Sequence, residues 1–132
     1  MAYERVKIHK AGTFMMDTKK LEILREKVKP IAEKYGLAAV YLFGSRARDD
    51  NKSDSDYDFY VKKGRLKNFF QLGGLMIDLE KVLETEVDIV TVDFDELDDY
   101  LKEAILKDGI VVYEETAYAS STDKKYLKVG TN

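Results

Sequence analysis

The chain has 132 residues, with 22 basic and 25 acidic side chains and a formal charge of −3. That length fits one domain of ordinary size and leaves no room for a second. The charge balance argues against a general nucleic-acid coat, which works by neutralising phosphates. Hydrophobic residues make up 45% and charged residues 36%, as in a packed core under a heavily charged surface. Cysteine is absent and His9 is the single histidine. Disulfides, thiol catalysis and cysteine-ligated zinc are excluded, and a Ser-His-Asp triad is disfavoured. No apolar run approaches the ~18–20 residues of a membrane span. The first residues, Met1 to Lys7, lack the apolar core of a secretory signal. A cytoplasmic location is expected, with chemistry left to carboxylates and backbone.

Residues 1–16 carry no sustained period and read as an N-terminal arm or a short extra strand. From Asp17 the pattern is helical, with Leu21, Leu24, Val28, Ile31 and Tyr35 at three- and four-residue steps. Asp17 or Thr18 can cap its start and Gly36 can end it, while Pro30 predicts a kink or two abutting helices. Leu37 to Phe43 is a strand buried on both faces, ending at Gly44-Ser45. A polar stretch leads to a second strand, Asp56 to Val61. A second amphipathic helix follows, with Phe69, Leu72, Leu75, Met76, Leu79 and Val82 on one stripe. Val87 to Val92 is a third strand, Asp93 opens a third helix to about Lys107, and Ile110 to Tyr113 is a last short strand. The domain is placed at 17–113 and a polar C-terminal tail at 114–132. Alternating helices and strands give an α/β (α+β) class, a small mixed sheet flanked by helices.

Two features stand close together in this order. Gly44-Ser45 ends a buried strand at a polar turn, where free backbone N–H groups can hold an anion. Asp56 and Asp58, two apart on a strand, point their carboxylates to one face, roughly 6.6 Å apart along the chain. A third acid, Asp88, interrupts an otherwise apolar strand. At an effective dielectric of 20, like charges 4 Å apart repel by about 4 kcal/mol, so three clustered acids call for a cation or a proton. Oxygen-only donors point to Mg²⁺ or Mn²⁺. The competing reading is a solvated loop and strand edge. An EF-hand is excluded, because the position needing glycine is Phe59 and the one needing glutamate is Arg65.

Leu42-Phe43-Gly44-Ser45-Arg46-Ala47-Arg48 followed by Ser55-Asp56-Tyr57-Asp58-Phe59 resembles the Gly-Ser-x10-Asp-x-Asp signature of the DNA polymerase β-like nucleotidyltransferases. More narrowly, it resembles the minimal nucleotidyltransferases, the small MntA-type antitoxins paired with HEPN toxins. The likeness runs from about Asp17 to Tyr113, with Lys29 to Gly36 ahead of the motif and Asp108 to Tyr113 behind it. It implies that Gly44 and Ser45 hold the triphosphate of ATP or another NTP. It implies that Asp56 and Asp58 ligate one or two Mg²⁺ and that Asp88 completes the metal site or activates the attacking hydroxyl. The implied reaction is in-line attack on the α-phosphate with loss of pyrophosphate, under a two-metal clamp. The implied acceptor is a tyrosine of the HEPN partner, with no DNA or membrane partner. Two departures stand out: Asp49-Asp50 where relatives often have glycine, and Tyr57 between the acids where they are often aliphatic.

Arg46 and Arg48 flank the Gly-Ser turn and either meet phosphates or decorate a solvated turn. Lys62, Lys63, Arg65 and Lys67 read as an ordinary charged turn, and Asp93 to Asp99 as an acidic helix start. Gly73-Gly74 lacks the context of a phosphate loop and gets no nucleotide role. Two other functions compete with protein nucleotidylation. A non-catalytic binding module would neutralise its partner by docking alone. A transferase for an aminoglycoside-like small molecule usually needs more chain for its acceptor pocket.

Overall fold

The computed structural model describes residues 16–50 and 55–119, together with the backbone of 8–9 and 13–14. A first pair of strands, β1 (Ile8–His9) and β2 (Thr13–Phe14), runs antiparallel within the stretch read as arm or extra strand. The rest of 1–15, residues 51–54 and most of the expected tail, 120–132, lie outside the described residues.

Helix α1 (Thr18–Lys34) starts on Asp17, whose side chain accepts from the Lys19 N–H. It runs as one helix through Pro30 rather than as two, with Pro30 on its exposed side. Its end is a Schellman motif: the Gly36 N–H donates to Glu33 O and the Leu37 N–H to Ala32 O. Gly36 takes φ +66°, which glycine adopts without steric cost. Leu37 is used up in that cap, so the strand expected from Leu37 begins at Ala39.

Strand β3 (Ala39–Phe43) is buried at every position, as its apolar run predicts. A short helix, α2 (Ser45–Arg48), follows at once, and strand β4 (Tyr57–Lys62) returns antiparallel to β3. Helix α3 (Phe69–Leu83), capped by the Asn68 side chain, leads to β5 (Val87–Val90), which pairs parallel to β4. The third helix does not start at Asp93. Phe94–Glu96 forms one 3₁₀ turn, and α4 (Asp99–Asp108) starts on Asp98, whose carboxylate accepts from the Leu101 N–H at 2.8 Å. Strand β6 (Ile110–Glu114) joins the other edge of β3, and a single turn α5 (Thr116–Ala119) follows. The chain therefore stays packed past Tyr113, and Tyr118 is buried.

The four-stranded sheet has the order β5-β4-β3-β6, mixed as expected. Its two faces carry separate cores. Leu42, Phe59 and Val61 pack with Leu24 and Val28 of α1 and Leu75 and Leu79 of α3. Tyr41, Phe43 and Tyr60 pack with Leu97, Ile105 and Tyr118 on the α4 side. The α3 stripe is narrower than its periodicity suggests. Phe69, expected on it, is 88% exposed and lines a groove with Thr91, where β5 has already ended.

Candidate active site

Strand alternation decides where the acids go. Along β4, Tyr57, Phe59 and Val61 point into the α1–α3 layer, so Asp58 points with Tyr60 toward the α4 side. In register, Asp58 lies between Phe43 of β3 and Asp88 of β5. The structure thus brings two of the predicted acids side by side at one end of the sheet, and Asp56 follows one residue before β4 begins.

The Gly-Ser turn closes over this pair. Gly44 adopts φ +79°, and a Cβ there would stand 2.5 Å from Asp58 Oδ2. Glycine is required because the Asp58 carboxylate presses against the backbone where β3 passes into α2. Ser45, partly exposed, opens α2 directly beside it. The first N–H groups of a helical turn have no carbonyl partners within the helix and are available to an anion.

Burial pushes the Asp58 carboxyl up to about 6, with the charges of Asp88 and Asp56 and a hydrogen bond to Asp88 adding to the rise. The Arg48 charge opposes it. Two carboxylates in contact, one half-buried, are a poor arrangement for anions and a good one for a shared proton or a hard cation. The all-oxygen donor set fits a hard divalent ion. No three carboxylates converge as a finished metal cage among the described residues. Asp88 is exposed and Asp56 partly so, which leaves the acid end open to a ligand.

Both arginines of the motif brace the site. The Arg46 Nε and Nη2 donate to Ser55 O at 2.9 and 2.7 Å, and the guanidinium lies 4.2 Å over the Tyr57 ring. Tyr57, the residue noted between the acids, is therefore the platform that Arg46 stacks on. Arg48 Nη1 donates to Asp108 Oδ2 at 2.8 Å and its Nε to Asp50 Oδ2 at 3.1 Å. Asp108, 6% exposed, is the buried charged residue among those described. Sequence reasoning assigned it only a turn. A readable signal existed, since an acid on the last residue of α4 opposes the helix dipole and calls for a cation.

Asp49 explains the other departure. It takes φ +60° as the residue after α2, a left-handed conformation that glycine adopts freely and aspartate tolerates better than most. Its carboxylate accepts from Lys20 Nζ at 3.0 Å, so its charge is turned toward α1.

Known proteins resemble this chain in sequence and fold. The polymerase beta nucleotidyltransferase family profile matches residues 26–118. A Methanocaldococcus jannaschii protein named "putative protein adenylyltransferase" is 36% identical over 89 residues, 67% of this chain and 94% of that protein. A solved structure of a "putative minimal nucleotidyltransferase" is 33% identical, with a TM-score of 0.57, over 72% of this chain and 95% of that one. Two more distant structures share the fold. One is a toxin–antitoxin crystal structure with AMP-PNP, at 19% identity and TM-score 0.59 over 77% of this chain and 79% of that one. The other is a tri-AMPylated Shewanella oneidensis HEPN toxin in complex with MNT antitoxin, at 18% identity and TM-score 0.55 over 80% and 82%. The matched region takes in all three acid-bearing segments and the turn that closes over them, and the chain belongs to the polymerase β nucleotidyltransferase family.

Proposed function

We propose that this nucleotidyltransferase transfers AMP from ATP to a tyrosine hydroxyl of a HEPN-type partner and silences it, acting as the antitoxin of the pair. The observation that carries the reading is the in-register pair Asp58–Asp88 beneath Gly44, an acidic centre joined to the Gly-Ser turn. The relatives named for protein adenylylation and the AMPylated HEPN complex support the acceptor class.

In this reading Gly44 and Ser45 hold the triphosphate by backbone N–H groups and hydroxyl. Arg46 and Arg48 keep the turn seated through Ser55 and Asp108, beside the phosphates. Asp56, Asp58 and Asp88 are the residues that would hold Mg²⁺. When bound, the ion supplies charge neutralisation on the attacking and leaving oxygens. The acceptor oxygen forms a bond to the α-phosphorus as the bond to pyrophosphate breaks. Its proton passes to a carboxylate at the exposed rim, with Asp88 best placed to take it. The partner would supply much of the acceptor wall.

Intact-mass measurement of a candidate HEPN-type partner, after incubation with the chain, Mg²⁺ and each NTP in turn, tests the reading. One or more added AMP units with ATP are expected, falling on the order of 10³-fold in rate with Asp58→Asn. Tight binding of the two proteins with no mass gain from any NTP would replace catalysis by docking alone.

A further inference from the structure

Helix α3 turns a second, unused face to solvent. Opposite the buried Leu75 and Leu79 lie Phe70, Gly73 and Ile77; Phe70 is 93% exposed and Ile77 54%. Among the described residues, nothing stands within 4 Å of where a Gly73 Cβ would be. A glycine in mid-helix costs roughly 1 kcal/mol relative to alanine, and no packing among the described residues requires it. Gly74 is different: a Cβ there would meet Tyr35 Oη at 2.7 Å, so its smallness serves the contact with α1. Gly73 is thus a notch between two exposed apolar knobs, one turn to either side.

The segments flanking α3 carry opposite charges, outside a helix whose own last turn holds Lys81. Basic residues, Lys63 and Lys67, precede its N-terminus, and acids, Glu84 and Glu86, follow its C-terminus; all four are exposed. An antiparallel neighbour of the same sequence would cover the apolar knobs and pair the opposite flanks. About a two-fold axis between Gly73 and Gly74, Phe70 of one copy falls beside Ile77 of the other, since the two residues are equidistant from that centre. The basic flank of each copy then meets the acidic flank of its partner. Close helix approach is what a glycine notch permits, and a two-fold contact requires such a self-complementary patch.

We propose that the outer face of α3 is a docking surface for a second copy of this chain, paired antiparallel through Phe70, Gly73 and Ile77. The acids lie on the other side of the sheet, so pairing leaves them open. Sedimentation velocity of the full chain from ~5 to ~500 µM tests this. The wild type is expected to pass from one copy to two across that range. Phe70→Asp, or Ile77→Asp, is expected to weaken pairing by ~100-fold while leaving the melting temperature near that of wild type, because both side chains face solvent. A charge swap isolates the specific geometry. Lys63→Glu with Lys67→Glu, and separately Glu84→Lys with Glu86→Lys, should each be monomeric alone and pair when mixed. A wild type that stays monomeric at ~500 µM, an aspartate variant that pairs as well as wild type, or a mixture that restores nothing would each overturn the proposal. Loss of HEPN-partner binding in Phe70→Asp, with a monomeric wild type, would instead assign this face to that partner.

Discussion

Alternate residues of β4 enter two unlike environments. Phe59 and Val61 enter an aliphatic layer closed by two long helices, while Asp58 and Tyr60 enter a layer of tyrosines covered by α4 and the single turn α5. The tyrosines keep their hydroxyls satisfied at the layer's edges. Tyr60 Oη donates to Val92 O at 3.0 Å, and Tyr41 Oη reaches Tyr118 Oη and Glu114 Oε2 at 3.4 Å each. Burial pushes both phenols well above their ordinary range. One layer therefore supplies most of the stability and the other hosts polar groups that a dry core would reject. The strand alternation keeps Asp58 out of the aliphatic layer and on the side of Asp88.

The largest effect that separates the layers is Phe59→Ala. Phe59 is fully buried in the aliphatic layer, so its truncation should cost about 3–5 kcal/mol in chemical denaturation. If it costs no more than a surface change, the layers are not divided as described. Asp108→Asn comes next. It leaves Arg48 facing a neutral amide at a site where the carboxylate is buried and the guanidinium only partly so. A loss of roughly 1–3 kcal/mol is expected by the same measurement, with the Gly-Ser turn loosened and transfer slowed.

The smallest effect is a pH drift. Asp58 holds its proton to about 6 in the fold, against 3.8 as its ordinary value. Between these values the folded chain binds more protons than the unfolded one, so folding is linked to proton uptake there. Stability should therefore fall as pH rises from about 4 to about 6 and reach its floor above. Other carboxylates run the opposite way; Asp78, held down by hydrogen bonds from Lys34 and Tyr35, is one. The difference in melting temperature between wild type and Asp58→Asn, in metal-free buffer, isolates the drift. A difference that stays flat across the window would show that Asp58 is not held between burial and Asp88.

The part of the candidate site that was legible is local, a buried run ending in Gly-Ser and then acids at period two. Asp88 could be read only as an acid in an apolar strand. The mixed sheet followed from the order of elements. What stayed hidden depends on distant partners. Nothing near Arg48 in sequence announces Asp108, sixty residues away. Phe69 satisfied the helical period but stands where β5 has run out, so no strand remains beneath it. The packed end of the chain was missed because Tyr118 is a single apolar anchor in a polar stretch, and one residue makes no pattern. Pro30 did not split α1, because it lies on the exposed side, where water can serve the carbonyl its ring leaves unpaired.

The two carboxylates that meet belong to strands of unequal persistence. Asp58 rides on a strand hydrogen-bonded along both sides, whereas Asp88 rides on β5, an edge held by one neighbour. Local opening of that edge requires the loss of four ladder positions and no disruption of β3. Amide protons of β5 should therefore exchange with solvent well before those of β3. On the timescale of such openings the acidic pair is made and unmade within an otherwise intact domain, and a ligand bridging Asp58 and Asp88 would act as the clasp that holds the edge strand shut.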